Sequence, residues 1–356
     1  MNECRSDREK SNSIRTYYGD VNRKMRTAEE NNYIPVVLCT DANYFIPAYC
    51  AVRSMLINYM GRRSIHVYFL LSDDIPDEYT DMLKRLRNEY SFFDFEMIEM
   101  GSSYNSVRVN VSYIKTASMY RLSIPRLLEN IDKCIYIDSD LVFEGDVSEL
   151  YDTNVDDVLL GGVKDFFQVN EDEDGLHEKL GIPSISQYIN SGVLVMNLKR
   201  LREEKVAEKL EEEAGRDYPF NDQDVINSVC YGRIKHLPFR FNYMVPFINP
   251  RGGFFKDYFR IYGEDEVERA LSNPVIVHYI GSEKPWLSKH IYGAAHWWKY
   301  AVTQNDLTSN KIINRFIEEN KASTLEKIKT GTMRVLKVSR IYDLLKRIKA
   351  LSRHRN

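Results

Sequence analysis

From Ile34 onward, short apolar runs are separated by longer amphipathic stretches. The runs VVLCT (36–40), IHVYFLL (65–71), CIYID (134–138), DVLLGGV (157–163), GVLVMNL (192–198) and PVIVHYI (274–280) predict strands. Several are apolar without alternation, as strands buried on both faces are. Between them, PAYCAVRSMLINY (47–59), PDEYTDMLKRLRNEY (76–90), LKRLREEKVAEKLEEEAG (198–215) and DQDVINSVC (222–230) predict helices, two opening with proline and one closing at glycine. This alternation predicts an α/β fold on a mainly parallel sheet, in which ligands bind beyond the carboxyl ends of the strands. No internal repeat suggests a solenoid.

Composition narrows the class further. A hydrophobic fraction of 43% and a charged fraction of 28% over 356 residues suit a globular chain and exclude disordered and fibrous classes. The net charge of −3 conceals an asymmetry. Residues 306–356 carry thirteen Lys/Arg against five Asp/Glu, a local +8 that leaves about −11 for the rest. Three segments follow: a polar appendage at 1–32, a main domain at 33–300 and a basic tail at 301–356. With basic character confined to the tail, no nucleic-acid partner is expected. The five cysteines (Cys4, Cys39, Cys50, Cys134, Cys230) are odd in number and form no C-x-x-C pair, so reduced thiols in the cytoplasm are expected. The start MNECRSDREK lacks the apolar core of a signal peptide, and no apolar run is long enough to span a membrane.

The sharpest chemical signal is KCIYIDSDLV (133–142), where Asp138 and Asp140 end an apolar strand. Alternate strand residues face the same way, so the two carboxylates repel by roughly 3 kcal/mol at an effective dielectric near 20. A cation, a shared proton or open solvent must compensate. D-x-D alone is weak, since Asp172/Asp174 and Asp222/Asp224 repeat it, the former in the acidic run NEDEDG, which reads as a solvated loop. An EF-hand fails because Val142 takes a ligand position and Phe143 the obligatory glycine. A phosphatase of the haloacid-dehalogenase type, with Asp138 as nucleophile and Asp140 as general acid, remains an alternative, although GDVSEL lacks the last aspartate of its later metal motif.

A second segment, VIVHYIGSEKPW (275–286), places His278 at a strand end, followed by Gly281 and Lys284. An imidazole added to two carboxylates makes a mixed N/O set suited to Mn²⁺, with Mg²⁺ the second choice, and leaves positions for phosphate oxygens. Lys284 would serve as a point charge on phosphate, and Gly281 would let the backbone approach.

Together with CTDANY after the first strand, SMYRLSIPRLL before IDKCIYIDSDLV, YINSGVLVMNL and NDQD, these segments resemble glycosyltransferase family 8 from about Ile34 to Trp286. That family includes bacterial lipo-oligosaccharide galactosyl- and glucosyltransferases and, more distantly, glycogenin. The resemblance implies the GT-A fold, a Rossmann-like nucleotide-diphospho-sugar transferase, and a retaining hexosyltransferase using UDP-glucose or UDP-galactose to form an α-linkage. Asp138, Asp140 and His278 then resemble the Mn²⁺ ligands. Asp41, Asn43 and Tyr44 resemble the nucleotide contacts, while Arg121, Ser139, Asn190, Gly281 and Lys284 resemble further donor contacts, with Ser191 and Gly192 keeping the turn after Asn190 narrow. Asp222 and Gln223 resemble the residues beneath the transferred sugar, and Asp165 less specifically an acid near it. A helix N-cap explains Asn221 or Asp222 equally well. A nucleotide-sugar-binding protein without catalysis is the remaining alternative.

The loop PFINPRGGFFKDYFRIYG (246–263) reads either as an acceptor surface or as an aromatic core. In the tail, Val338, Ile341, Leu344, Leu345, Ile348 and Leu351 follow helical spacing among basic residues. A basic amphipathic helix of this kind suits the inner face of a membrane and a lipid-linked glycan acceptor. A solvated tail or a face for a second subunit is the other reading.

Overall fold

The run Tyr33–Thr40 is buried at every position, and its alternating side chains show why. Val36 and Leu38 enter one hydrophobic core, whereas Val37 and Cys39 enter another on the opposite face of the sheet. Ile135 and Ile137 divide from Cys134 and Tyr136 in the same way. A sheet covered on both faces needs strands that are apolar throughout, which accounts for the unalternating runs.

The structure is a computed structural model that describes residues 15–17, 33–72, 75–101, 104, 116–170, 175–245, 255–302 and 306–329. Its strands are β1 (Arg15–Tyr17), β2 (Tyr33–Thr40), β3 (Ser64–Leu71), β4 (Phe93–Glu99), β5 (Lys133–Ile137), β6 (Leu141–Phe143), β7 (Leu160–Lys164), β8 (Ile189–Asn197), β9 (Ile234–His236), β10 (Tyr243–Val245) and β11 (Ile276–Tyr279). The main sheet has the order β1-β4-β3-β2-β5-β8-β7-β9, and β10-β11-β6 form a smaller sheet. Pairing is parallel for β2 with β3 and β5, for β3 with β4 and for β7 with β9. Strand β8 runs antiparallel between β5 and β7, and β1 lies antiparallel on β4. The carboxyl ends of β2, β5 and β7 therefore meet the amino end of β8 at one edge. In the smaller sheet, His278 of β11 lies opposite Leu141, the residue after Asp140, so the second motif reaches the same edge.

Two expectations change on folding. The stretch 198–215 forms two helices, Leu198–Glu203 and Val206–Glu213, because the exposed Lys205 between them adopts φ +56°. YINSGV forms no turn: Ser191 and Gly192 lie inside β8, which pairs with β5 as far as Val193 and reaches back to Ile189 through Lys164 of β7, past an irregularity in register. The alternating FDFEMIE stretch also forms a strand, β4, unnoticed because its acidic positions interrupt the apolar run.

The helix Leu307–Lys329 buries Ile313, Phe316 and Ile317 in the main core. The amphipathic positions from Val338 to Leu351 lie outside the described residues, as do Cys4, Asp172, Asp174 and the Gly252–Phe254 stretch. In the loop read as acceptor surface or core, Tyr258 and Tyr262 belong to the core: Tyr258 stacks on Phe166 at 3.9 Å and Tyr262 on Phe239 at 4.0 Å. Cys39, Cys50, Cys134 and Cys230 are buried free thiols.

A left-handed backbone costs a lysine roughly 1–2 kcal/mol and glycine almost nothing. Lys205→Gly is expected to stabilise the protein by about 1 kcal/mol, seen as a higher urea midpoint at unchanged slope. A lower midpoint would show that the lysine side chain contributes more than the backbone conformation costs.

Candidate active site

Strand β5 ends at Ile137, and Asp138, Ser139 and Asp140 leave the sheet at the edge shared with β2, β7 and β8. The Asp138 N–H still donates to the Gly192 carbonyl at 2.8 Å, so β8 passes directly against the carboxylates. Only glycine fits there. A Cβ on Gly192 would lie 2.3 Å from His278 Cε1 and 2.7 Å from Asp138 Oδ2.

The two aspartates have different counter-charges. Asp138 Oδ1 accepts from Tyr136 Oη at 2.7 Å and from Arg121 Nη2 at 2.9 Å. Asp140 Oδ2 accepts from Lys284 Nζ, which also donates to the Tyr279 carbonyl at 2.6 Å. Burial alone would raise the pKa of Asp140, but Lys284 and His278 outweigh it and hold the carboxyl well below its usual range. Arg121 Nε lies 3.0 Å from Asp222 Oδ2, its Nη1 donates to the Ser191 carbonyl at 2.7 Å, and its guanidinium sits 4.4 Å from the centre of the Tyr136 ring. Burial disfavours the arginine charge, yet Asp138 and Asp222 hold its pKa above the ordinary value. Burial also raises Asp222, against the pull of Arg121.

His278 Nε2 lies 3.2 Å from Asp140 Oδ1 and 3.8 Å from Asp138 Oδ2, and one ligand atom from each of the three residues falls within 4.8 Å of the others. An octahedral ion with bonds of about 2.1 Å separates adjacent ligands by about 3 Å and opposite ones by about 4 Å. Two carboxylates and one imidazole at this spacing fit a single divalent ion with remaining positions open, and the close passage of Gly192 provides the space.

On the other side of Gly192 lies a set of amides. Gln223 Oε1 accepts from the Ser191 N–H at 3.0 Å and Asn190 Nδ2 at 3.3 Å, while Gln223 Nε2 donates to Tyr188 Oη at 3.2 Å and Asp165 Oδ2 at 3.3 Å. Tyr188 Oη donates to Asp224 Oδ1 at 2.5 Å, and burial pushes Asp224 up to about 6. Asp165 follows β7, caps the next turn by accepting from the Phe167 and Gln168 N–H groups, and is likewise raised by burial.

A cleft of about 640 Å³ joins these groups, a size that holds a nucleotide-sized ligand. Its lining includes Asp41, Tyr44, Arg121, Asp138, Ser139, Asp140, Asp165, Asn190, Asp222, Gln223, His278, Gly281 and Lys284. Asp41 Oδ1 accepts from the Tyr44 N–H at 2.8 Å, closing the turn after β2, and the Tyr44 ring meets Trp286 edge-on. Asn43, expected as a nucleotide contact, is exposed on that turn and does not line the cleft. Asn221 precedes the helix Asp222–Val229 without a side-chain cap, and the Asp222 carboxylate accepts from Ser118 Oγ at 2.8 Å rather than capping the helix.

A sequence model of the family described as Glycosyl transferase family 8 matches residues 35–290. The chain belongs to glycosyltransferase family 8. It is 28% identical over 294 residues to General stress protein A of Bacillus subtilis, covering 79% of this chain and 97% of that one. It is 26% identical over 282 residues to a lipopolysaccharide 1,2-glucosyltransferase of Escherichia coli K12, covering 74% of this chain and 75% of that one. Among solved structures, the galactosyltransferase LgtC, crystallised with donor and acceptor sugar analogues, superposes with a TM-score of 0.60 at 23% identity, covering 78% of this chain and all of LgtC. The bifunctional glycosyltransferase WbbM gives 0.67 at 21% identity, covering 80% of this chain, which spans about half (52%) of WbbM. The fold is accordingly GT-A, and the family assignment displaces the phosphatase alternative.

Sequence reasoning missed Tyr136, Ser118, Tyr188 and Asn242 as supports of the family 8 site. Tyr136 stands two residues before Asp138 on the same strand face, and Ser118 and Tyr188 open the segments SMYRLSIPRLL and YINSGVLVMNL, whereas Asn242 left no signal. Gly192→Ala is expected to destabilise the protein by about 1–3 kcal/mol through overpacking and to separate His278 from the carboxylates. Urea denaturation measures the first effect and a Mn²⁺ titration the second. Wild-type Mn²⁺ affinity in this variant would contradict the crowding argument.

Proposed function

We propose that this chain is a metal-dependent, retaining hexosyltransferase that moves glucose or galactose from a UDP-sugar to a glycan or lipid-linked glycan, forming an α-glycosidic bond. The observation that carries the reading is the convergence of Asp138, Asp140 and His278 within 4.8 Å beside Lys284, in the cleft lined by Asp41 and Tyr44. Asp41 and Tyr44 would receive the nucleotide at the end of β2. Asp138, Asp140 and His278 would hold Mn²⁺, which when bound supplies positive charge to the diphosphate and to the departing UDP. Lys284 adds a second charge from the opposite side of Asp140.

A nucleoside diphosphate leaves without protonation, so no general acid is required, in contrast to glycoside hydrolysis. What the chain must supply is orientation and charge. Asn190, Gln223 and Asp165 form a hydrogen-bonded set at the sugar end of the cleft, where an oxocarbenium-like centre would develop. Asp222 acts here through Arg121, which its carboxylate holds against Asp138.

Incubation with UDP-glucose and UDP-galactose is expected to release UDP from one of them only with a divalent cation. Asp138→Ala or Asp140→Ala should lower kcat/KM by about 10²–10³-fold or more. Release undiminished in EDTA, or in both variants, would remove the metal from this account.

No helix among the described residues is long and apolar enough to cross a membrane. A peripheral position at the inner membrane face would rest on the basic segment after Lys329. Sedimentation with anionic liposomes should retain the full chain and lose a chain ending at Lys329, which keeps the packed residues Ile313, Phe316 and Ile317. Equal sedimentation would rule out a tail anchor.

A further inference from the structure

We infer that Asn242, a fully buried residue just before β10, is a positioning residue that fixes His278 in the tautomer required of a metal ligand and ties it to the sugar-side amides. The inference rests on the metal site proposed above. It follows from an ordered chain of donors and acceptors that begins at the backbone. The Gly192 N–H donates to Asn190 Oδ1 at 3.0 Å, which makes that atom an acceptor whatever the rest of the site does. The atom of Asn242 facing Asn190 Oδ1 at 2.9 Å must therefore be its NH₂ group. The other terminal atom of the same amide is then the carbonyl oxygen, and it faces His278 Nδ1 at 2.9 Å. A carbonyl only accepts, so Nδ1 must carry the proton, and the Nε2 lone pair is left facing Asp138 and Asp140.

The direction set at Gly192 also runs the other way. With Asn190 Oδ1 committed as acceptor, its Nδ2 turns to Asp165 Oδ2 at 3.1 Å and Gln223 Oε1 at 3.3 Å. The Ser191 N–H, one residue earlier on the same strand, fixes Gln223 Oε1 as an acceptor independently. Two adjacent backbone N–H groups of β8 thus orient three amides and one imidazole. Asn242 connects the ligand histidine to the residues at the sugar end. It has no contact with the expected metal or substrate, so its effect passes through His278 and Asn190.

The test uses the full chain and Mn²⁺ alone. Ring-¹⁵N histidine spectra of the wild type, assigned with His278→Gln, should show His278 protonated at Nδ1 and unprotonated at Nε2 at a pH where the ring is neutral. Asn242→Ala should weaken Mn²⁺ binding, measured by electron paramagnetic resonance without donor, by about 10–100-fold, the usual range for losing such a support. Asn242→Asp keeps an oxygen opposite Nδ1 but loses the donor to Asn190, so it should restore Mn²⁺ binding, while the KM for the nucleotide sugar should be raised in both Asn242 variants. An Nε2–H tautomer in the wild type, or wild-type Mn²⁺ affinity in Asn242→Ala, would overturn the inference, and the tautomer decides the matter if that variant does not fold. Asp140→Ala separates the two levels. If Asp140→Ala binds Mn²⁺ normally, the metal site itself is misassigned; if it loses Mn²⁺ while Asn242→Ala does not, only the role of Asn242 is wrong.

Discussion

The active edge is organised by the close antiparallel passage of β8 against the end of β5. Because Gly192 has no side chain, its backbone touches the space between Asp138 and His278 while its carbonyl accepts the Asp138 N–H. One strand thereby brings a carboxylate, an imidazole and the amides of Asn190 and Gln223 together. Purely parallel pairing would bring another strand's carboxyl end to this edge in place of the amino end of β8 that carries Asn190, Ser191 and Gly192.

Electrostatics follow from that placement. Asp138, Asp140 and Asp222 face Arg121 and Lys284, three carboxylates against two permanent cations. Burying such a cluster is costly unless each charge is paired and hydrogen-bonded, and each here has at least one opposite partner. With a neutral histidine the cluster is one charge negative. A divalent ion would make it one charge positive, the sign that attracts a diphosphate. The depressed pKa of Asp140 agrees with a carboxylate kept ionised by Lys284 and His278, whereas burial raises Asp165, Asp224 and, against the pull of Arg121, Asp222. The cleft thus has a charged end and a hydrogen-bonding end, the division that the proposed sugar diphosphate would require.

Much of this was legible because the decisive residues lie at the ends of strands that read clearly from their apolar runs. Asp41, Asp138, Asp165 and His278 each follow or close such a run, and topology alone gathers them. The reading failed where geometry depends on direction or on distant segments. Ser191 and Gly192 looked like a turn because glycine is a common turn residue, and nothing local shows that β8 continues back to Ile189, which pairs with Lys164 of β7. Lys205 broke a continuous helical pattern through a backbone conformation that its side chain does not announce. Asn242 belongs to no motif, and its partners lie 52 and 36 residues away in sequence. Asn43 shares the CTDANY motif with Asp41 and Tyr44, but it is exposed and does not line the cleft that they line.

The central claim is that Asp138, Asp140 and His278 form one divalent-metal site that serves a nucleotide sugar. Anomalous scattering at the manganese edge, from crystals grown with Mn²⁺ and UDP, tests it most directly. The account requires a single strong peak bonded to one oxygen of each aspartate and to His278 Nε2, with diphosphate oxygens completing the shell beside Lys284. A peak elsewhere, or diphosphate bound in the cleft with no metal between these three residues, would contradict it.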